Sequence, residues 1–305
     1  MFRVTVDIFS GRNNPTWIID NEEKGRDLLA AIRKERQIIT DVDSGFQGLG
    51  FRGLTFELFS DEDSTDLELP ATFSITNGAG KDHKKGVEIA GRVIEEMTKY
   101  KAITLPEHAV TPIDQKLQKH LLEKLHAYEL KPPKIFPPPR QSSRGIRVTV
   151  VDEECRNCQY EESRFNPAFW NSDPNVRRNN NCYNYARNWR TNTFAQPGRA
   201  TGCSHSLTCT SVAKAAICDG LRKRCECLSE KEYPRRLVAL VVDPGFDYHW
   251  YRKQKAGFWG HKPGQTAAKN VDNSGVIITD PKSCDRGGYT DFCGFFYAGK
   301  SVRII

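Results

Sequence analysis

Cysteine is missing from the first 154 of the 305 residues, and all ten cysteines fall in the remainder. A chain of this length ordinarily forms more than one domain, and so uneven a distribution of one residue type predicts a boundary between two. Long apolar runs are missing as well: none approaches the roughly 20 residues that a spanning helix needs. The opening Met1-Phe2-Arg3-Val4-Thr5-Val6-Asp7 lacks the apolar core of a secretory signal. A soluble protein without a membrane span is therefore expected. No motif calls for a cofactor, and the basic residues lack any base-reading spacing, which argues against a nucleic-acid partner.

What is present is divided in the same way as the cysteines. Of 45 Lys+Arg and 38 Asp+Glu, residues 1–140 hold 20 and 22, leaving 25 against 16, a net +9, for the rest. A basic half favours anionic partners, because net charge governs encounter and solubility. With 38% hydrophobic residues the chain has enough apolar material for a core. The redox compartment stays open: dense cysteine points to disulfides and an extracellular setting, reached by a non-classical route, whereas the missing signal points to a reducing cytosol. Cys155-x-x-Cys158 and Cys225-x-Cys227 offer zinc as a third reading, although the second spacing is tight for a zinc clasp.

Residues 2–8 alternate apolar and polar side chains as a strand with one buried face does, and residues 10–15 supply turn chemistry. Asn21-Glu22-Glu23 opens a helix that carries Leu28, Leu29 and Ile32 at helical spacing. Residues 53–59 and 71–76 predict two more strands. Two further helices follow, one with Val87, Ala90, Val93, Ile94 and Met97 on a single face, the other with Ile113, Leu117, Leu121, Leu125 and Tyr128. These segments predict a small α/β domain over residues 1–130. Residues 131–144 are Pro-rich and cannot sustain a helix, so they read as a stiff linker.

The chemistry concentrates beyond residue 145. Cys182 follows Asn179, Asn180 and Asn181, any of which can cap a helix beginning there, and a thiol at a helix N-terminus is the place where a thiolate forms. A thiolate that opens an amide needs a base able to protonate the leaving amine. His249 suits that role on a strand that runs through residues 238–242 and on through 248–252. A turn at residues 253–257 brings a second strand back with His261 as the group that orients the base; Asn270, Asp272 and Asn273 are rival orienters. Tyr183, Asn184, Tyr185 and Trp259 are candidate oxyanion or cleft residues. Residues 259–264 and 285–289 have the composition of cleft loops, and a Cys284–Cys293 bridge would close the second.

The Cys-x-x-Tyr-Ala run at residues 182–186, the Gln196-Pro197-Gly198 turn and a strand histidine followed by a polar residue resemble the NlpC-like and cysteine/histidine-dependent amidohydrolase/peptidase (CHAP) group of papain-like enzymes. The resemblance covers residues 175–265 and implies a Cys182–His249–His261 triad acting through an acyl-enzyme on a peptide or isopeptide amide, with peptidoglycan stem peptide as the implied substrate. The expected class is α+β, a papain-like domain over residues 145–305 placing its nucleophile helix on an antiparallel sheet. Two alternatives stand beside it: deamidation or acyl transfer on a protein target, and a non-enzymatic, disulfide-stapled binding module in which Cys182 is paired.

Overall fold

The computed structural model describes residues 1–59, 67–103, 111–136 and 147–305. Helices and antiparallel sheets together make an α+β protein. It divides into two compact units: Met1–Ile8 with Asn13–Phe136, and Phe9–Arg12 with Pro137–Ile305. The division falls inside the expected linker, whose residues 137–144 lie outside the described residues. One short piece departs from the expected partition. Phe9–Arg12, which runs into the turn chemistry predicted at residues 10–15, belongs to the second unit.

The first unit is built on a four-stranded sheet in the order β2-β1-β3-β4, from β1 (Phe2–Asp7), β2 (Thr16–Ile19), β3 (Gly53–Leu58) and β4 (Thr72–Ile75). Every pairing is antiparallel, so the unit is α+β and not the α/β domain expected. The alternation of β1 buries Phe2, Val4 and Val6 on one face. Among the described residues, its long helices are α1 (Glu22–Lys34), α2 (His83–Glu96) and α3 (Gln115–Leu130). Each begins on a side chain that accepts a free backbone N–H: Asn21 from Lys24 at 3.0 Å, Asp82 from Lys85 at 3.0 Å, Asp114 from Leu117 at 2.8 Å. The predicted stripes are core in α2 (Ala90, Val93, Ile94) and α3 (Leu117, Leu121, Leu125, Tyr128).

The second unit centres on a five-stranded antiparallel sheet, β10-β9-β8-β11-β7, from β7 (Arg222–Lys223), β8 (Arg236–Asp243), β9 (Asp247–Lys253), β10 (Trp259–His261) and β11 (Asp291–Ala298). A two-stranded hairpin, β5 (Val148–Val151) and β6 (Gln159–Glu162), lies beside it in sequence. The single strand expected across residues 238–252 is two strands. Pro244-Gly245 breaks it, Gly245 taking φ +79°, so β8 and β9 form a hairpin with Val241 opposite His249. The predicted turn at residues 253–257 does return the chain, with Ala256 and Gly257 at positive φ and His261 opposite Tyr251.

One sheet face carries Val238, Leu240, Val242, Tyr248, Trp250 and Phe296 against helices α6 (Cys182–Arg187) and α7 (Cys209–Cys218); two short helices, α4 (Ala168–Asn171) and α5 (Pro174–Asn179), precede them. Each large side chain buried there is worth about 1.5–3 kcal/mol of transfer free energy.

Eight cysteines pair as Cys155–Cys225, Cys158–Cys227, Cys203–Cys218 and Cys209–Cys293, leaving Cys182 and Cys284 free. The disulfide reading of the cysteine-rich half therefore holds. The zinc reading of Cys155, Cys158, Cys225 and Cys227 gives way to two bridges among those same four sulfurs. The expected Cys284–Cys293 closure is replaced by Cys209–Cys293.

Candidate functional site

Helix α6 starts as its sequence predicts. Of the three candidate asparagines Asn181 is the cap: its side chain accepts from Tyr183 N at 3.0 Å and Asn184 N at 3.1 Å, while the Asn184 side chain accepts from Asn181 N at 3.1 Å. The loop ahead of it is fixed by the buried Lys262 ammonium, which donates to the carbonyls of Arg177 and Asn180, both at 2.5 Å. Cys182 is thus the first residue of a well-capped helix.

Its sulfur lies where the predicted thiolate is disfavoured. Cys182 is 0% exposed, lies in the apolar layer with Leu240, Tyr248 and Trp250, and has Sγ 4.0 Å from the Tyr248 carbonyl oxygen. Burial pushes the thiol well above its ordinary value, and the charge of Asp247 adds to this; a backbone N–H of Trp250 and the charge of Lys262 oppose it and are outweighed. A helix start lowers a thiol pKa when water or a cation can share the charge. Neither condition outweighs desolvation here.

Successive side chains on a strand point to opposite faces, so His249, between Tyr248 and Trp250, faces away from the Cys182 layer. On that second face the two histidines do meet: His249 Nε2 is 2.9 Å from His261 Nδ1, and His261 Nε2 is 3.0 Å from the Val271 carbonyl oxygen. The remaining nitrogen, His249 Nδ1, lies 2.6 Å from Ser10 Oγ. All three side chains are buried. A carbonyl only accepts, so His261 carries its proton on Nε2 and accepts on Nδ1; His249 then donates through Nε2, and when uncharged accepts the Ser10 hydroxyl proton on Nδ1. Burial pushes His261 down to about 3, with the charge of Lys269 acting in the same direction. Tyr251 stacks on His261 at 5.2 Å between centroids and meets His249 edge-on at 4.7 Å.

Asp247 anchors the Phe9–Arg12 segment from the same strand. Its carboxylate accepts the backbone N–H groups of Ser10 at 2.5 Å and of Gly11 and Arg12, both at 3.2 Å, and also the Tyr289 hydroxyl. Burial raises its pKa to about 6 despite these donors. The Gly11 carbonyl oxygen accepts from Asn181 Nδ2 at 2.7 Å and Gln196 Nε2 at 2.8 Å, and the Tyr248 hydroxyl stands 2.9 Å away. Gly11 is required by a close approach: a Cβ there would lie 2.4 Å from the Tyr248 ring.

The other predicted site residues are placed as follows. The Asp272 carboxylate accepts N–H groups of Ser274, Val276 and Asp285, all at 3.0 Å; Asn270 and Asn273 make backbone bonds to Ile278 and Asp285, and Asn270 Oδ1 is buried with no hydrogen-bond partner among the described residues. His261, the first of the predicted orienters, bonds to His249. Tyr183 donates its hydroxyl to Asp219 at 2.8 Å, Asn184 completes the cap, Tyr185 lies under the Arg252 guanidinium, and Trp259 packs on Phe295. Ser10 was not among the predicted residues. A lone serine in a Ser-Gly-Arg turn, 239 positions from its histidine, carries no signal in sequence.

No protein-family model matches the chain, and no solved structure matches it. Insoluble matrix shell protein 1 of Ruditapes philippinarum is 46% identical to it over 149 residues, which are 47% of this chain and 94% of that protein.

Proposed function

We propose, for a chain that belongs to the family of insoluble matrix shell protein 1, that the cysteine-rich unit is a disulfide-stapled building block of an extracellular organic matrix. The observation that carries this reading is the placement of Cys182: fully buried, with its thiol pushed up, in the layer opposite to the one holding His249. A thiol peptidase, amidase or deamidase needs a thiolate beside an imidazole in an open groove, so this placement counts against the enzymatic alternatives. Four disulfides suit a setting outside the reducing cytosol, and the net +9 beyond residue 140 suits acidic matrix partners.

Iodoacetamide labelling of the folded, unreduced protein tests the reading. Cys182 should stay unmodified until denaturant exposes it. Cys182→Ala should cost about 1–2 kcal/mol of stability, as loss of a small buried group does, and leave peptide-amide hydrolysis at background. A fast-reacting Cys182 together with peptide turnover abolished by that substitution would reinstate the hydrolase. Antibodies should find the protein in the acid-insoluble organic fraction of the shell; recovery only from the soluble fraction would remove the matrix assignment.

A further inference from the structure

The Ser10–His249–His261 chain has the connectivity of an activated nucleophile: a hydroxyl on one imidazole nitrogen, at 2.6 Å, and an orienting acceptor on the other, at 2.9 Å. Read outward from the Val271 carbonyl, the proton order makes His249 Nδ1 the acceptor that faces the Ser10 hydroxyl. Ser10 is 0% exposed, and so is His249. That burial shuts out an external acyl substrate, but it does not remove the carbonyl one bond upstream in the chain. Closure of Ser10 Oγ onto the Phe9 carbonyl carbon forms a five-membered ring through Cβ, Cα and N. The segment is held for such a reaction: Asp247 fixes the Ser10, Gly11 and Arg12 amides on one side, and Asn181 and Gln196 fix the Gly11 carbonyl on the other.

We propose that Ser10 and His249 cleave the chain's own Phe9–Ser10 bond by an N-to-O acyl shift followed by hydrolysis, with His261 as the positioning residue. Ser10 Oγ bonds to the Phe9 carbonyl carbon as its proton passes to His249 Nδ1. The carbon–nitrogen bond then breaks, and the nitrogen takes that proton and leaves as the free amine of Ser10. An ester now joins Phe9 to Ser10 Oγ. Water adds to the ester carbon, the carbon–oxygen bond breaks, the Ser10 hydroxyl is restored, and Phe9 ends in a carboxylate with release of one proton. The net reaction consumes one water.

Incubation of the full chain, followed by intact-mass measurement with and without hydroxylamine, is the test. Expected are a product beginning at Ser10 and a fragment ending at Phe9, which carries a hydroxamate when hydroxylamine has trapped the ester. Ser10→Ala, verified as folded by circular dichroism, should lose the cleavage, and His249→Ala should slow it about a hundredfold or more, the usual weight of a general base. His261→Ala should also slow it, whereas His261→Asn, whose side-chain oxygen can still accept from His249, should restore most of the rate; a merely structural role would not produce that rescue. Wild-type protein that stays intact with hydroxylamine present overturns the proposal, as does cleavage at the same bond in Ser10→Ala.

Discussion

The two faces of β9 show what one residue of strand parity decides. Tyr248 and Trp250 face an apolar layer that contains Cys182, while Asp247, His249 and Tyr251 face a hydrogen-bonded polar layer that contains Ser10, His261 and Tyr289. The capped helix start that would activate a thiol is on the first face, and the imidazole pair that would use it is on the second. The cysteine and the imidazole pair that the sequence grouped together are thus separated by the pleat of one strand.

The largest way to break this comparison is on the apolar side. Trp250 is fully buried against Tyr183 and Phe296, so Trp250→Ala should cost about 3–5 kcal/mol. Urea denaturation checks this, and the His249–His261 pairing should survive in whatever population remains folded.

Next comes the segment at the strand edge. Gly11→Val drives a branched side chain into the Tyr248 ring and should cost about 1–3 kcal/mol. If the mutant were as stable as wild type, the close packing of Phe9–Arg12 on β9 would be in error.

The smallest effect, and the one that sharpens the polar side, is a slope against pH. His261 is depressed from 6.5 to about 3 in the fold, so the unfolded chain takes up its proton first. Its stabilising contribution is complete above pH 6.5 and is lost as pH falls towards 3. Asp247 is raised from 3.8 to about 6 and acts in the opposite sense: the fold holds the proton longer, so burying the charged form costs stability progressively between those values. The displacement of His261 is the larger, so their sum makes stability rise just above pH 3 and again between about pH 6 and 6.5, the two contributions cancelling between about 4 and 6. His261→Asn removes the rising contribution, and denaturant titrations at stepped pH should then show the Asp247 fall between about pH 4 and 6.

Local chemistry made much of the fold legible. Asn21 and Asn181 announce their helices because a cap is a short-range bond, and the turn at residues 253–257 put His261 on a returning strand because glycine there permits the positive φ. Which face of β9 the helix covers could not be read, since Tyr248, His249 and Trp250 are all bulky and all buried, and alternation says only that neighbours diverge. The disulfide partners were equally hidden, because the connections span up to 84 residues and depend on the sheet order. Ser10 and Gly11 joined the site from the far end of the chain for the same reason. Parity was informative in one respect: with Cys182 unpaired, nine sulfurs remain and cannot all pair, and Cys284, whose thiol burial pushes up to about 11, is the one left over.

The bridges Cys155–Cys225 and Cys158–Cys227 run side by side across 70 and 69 positions. A protease that nicks the backbone anywhere between Cys158 and Cys225 therefore leaves two pieces still tied by a double tether. Such damage would be invisible on a gel run without thiol, and the injured particle would keep its mass and its place until a reductant arrived.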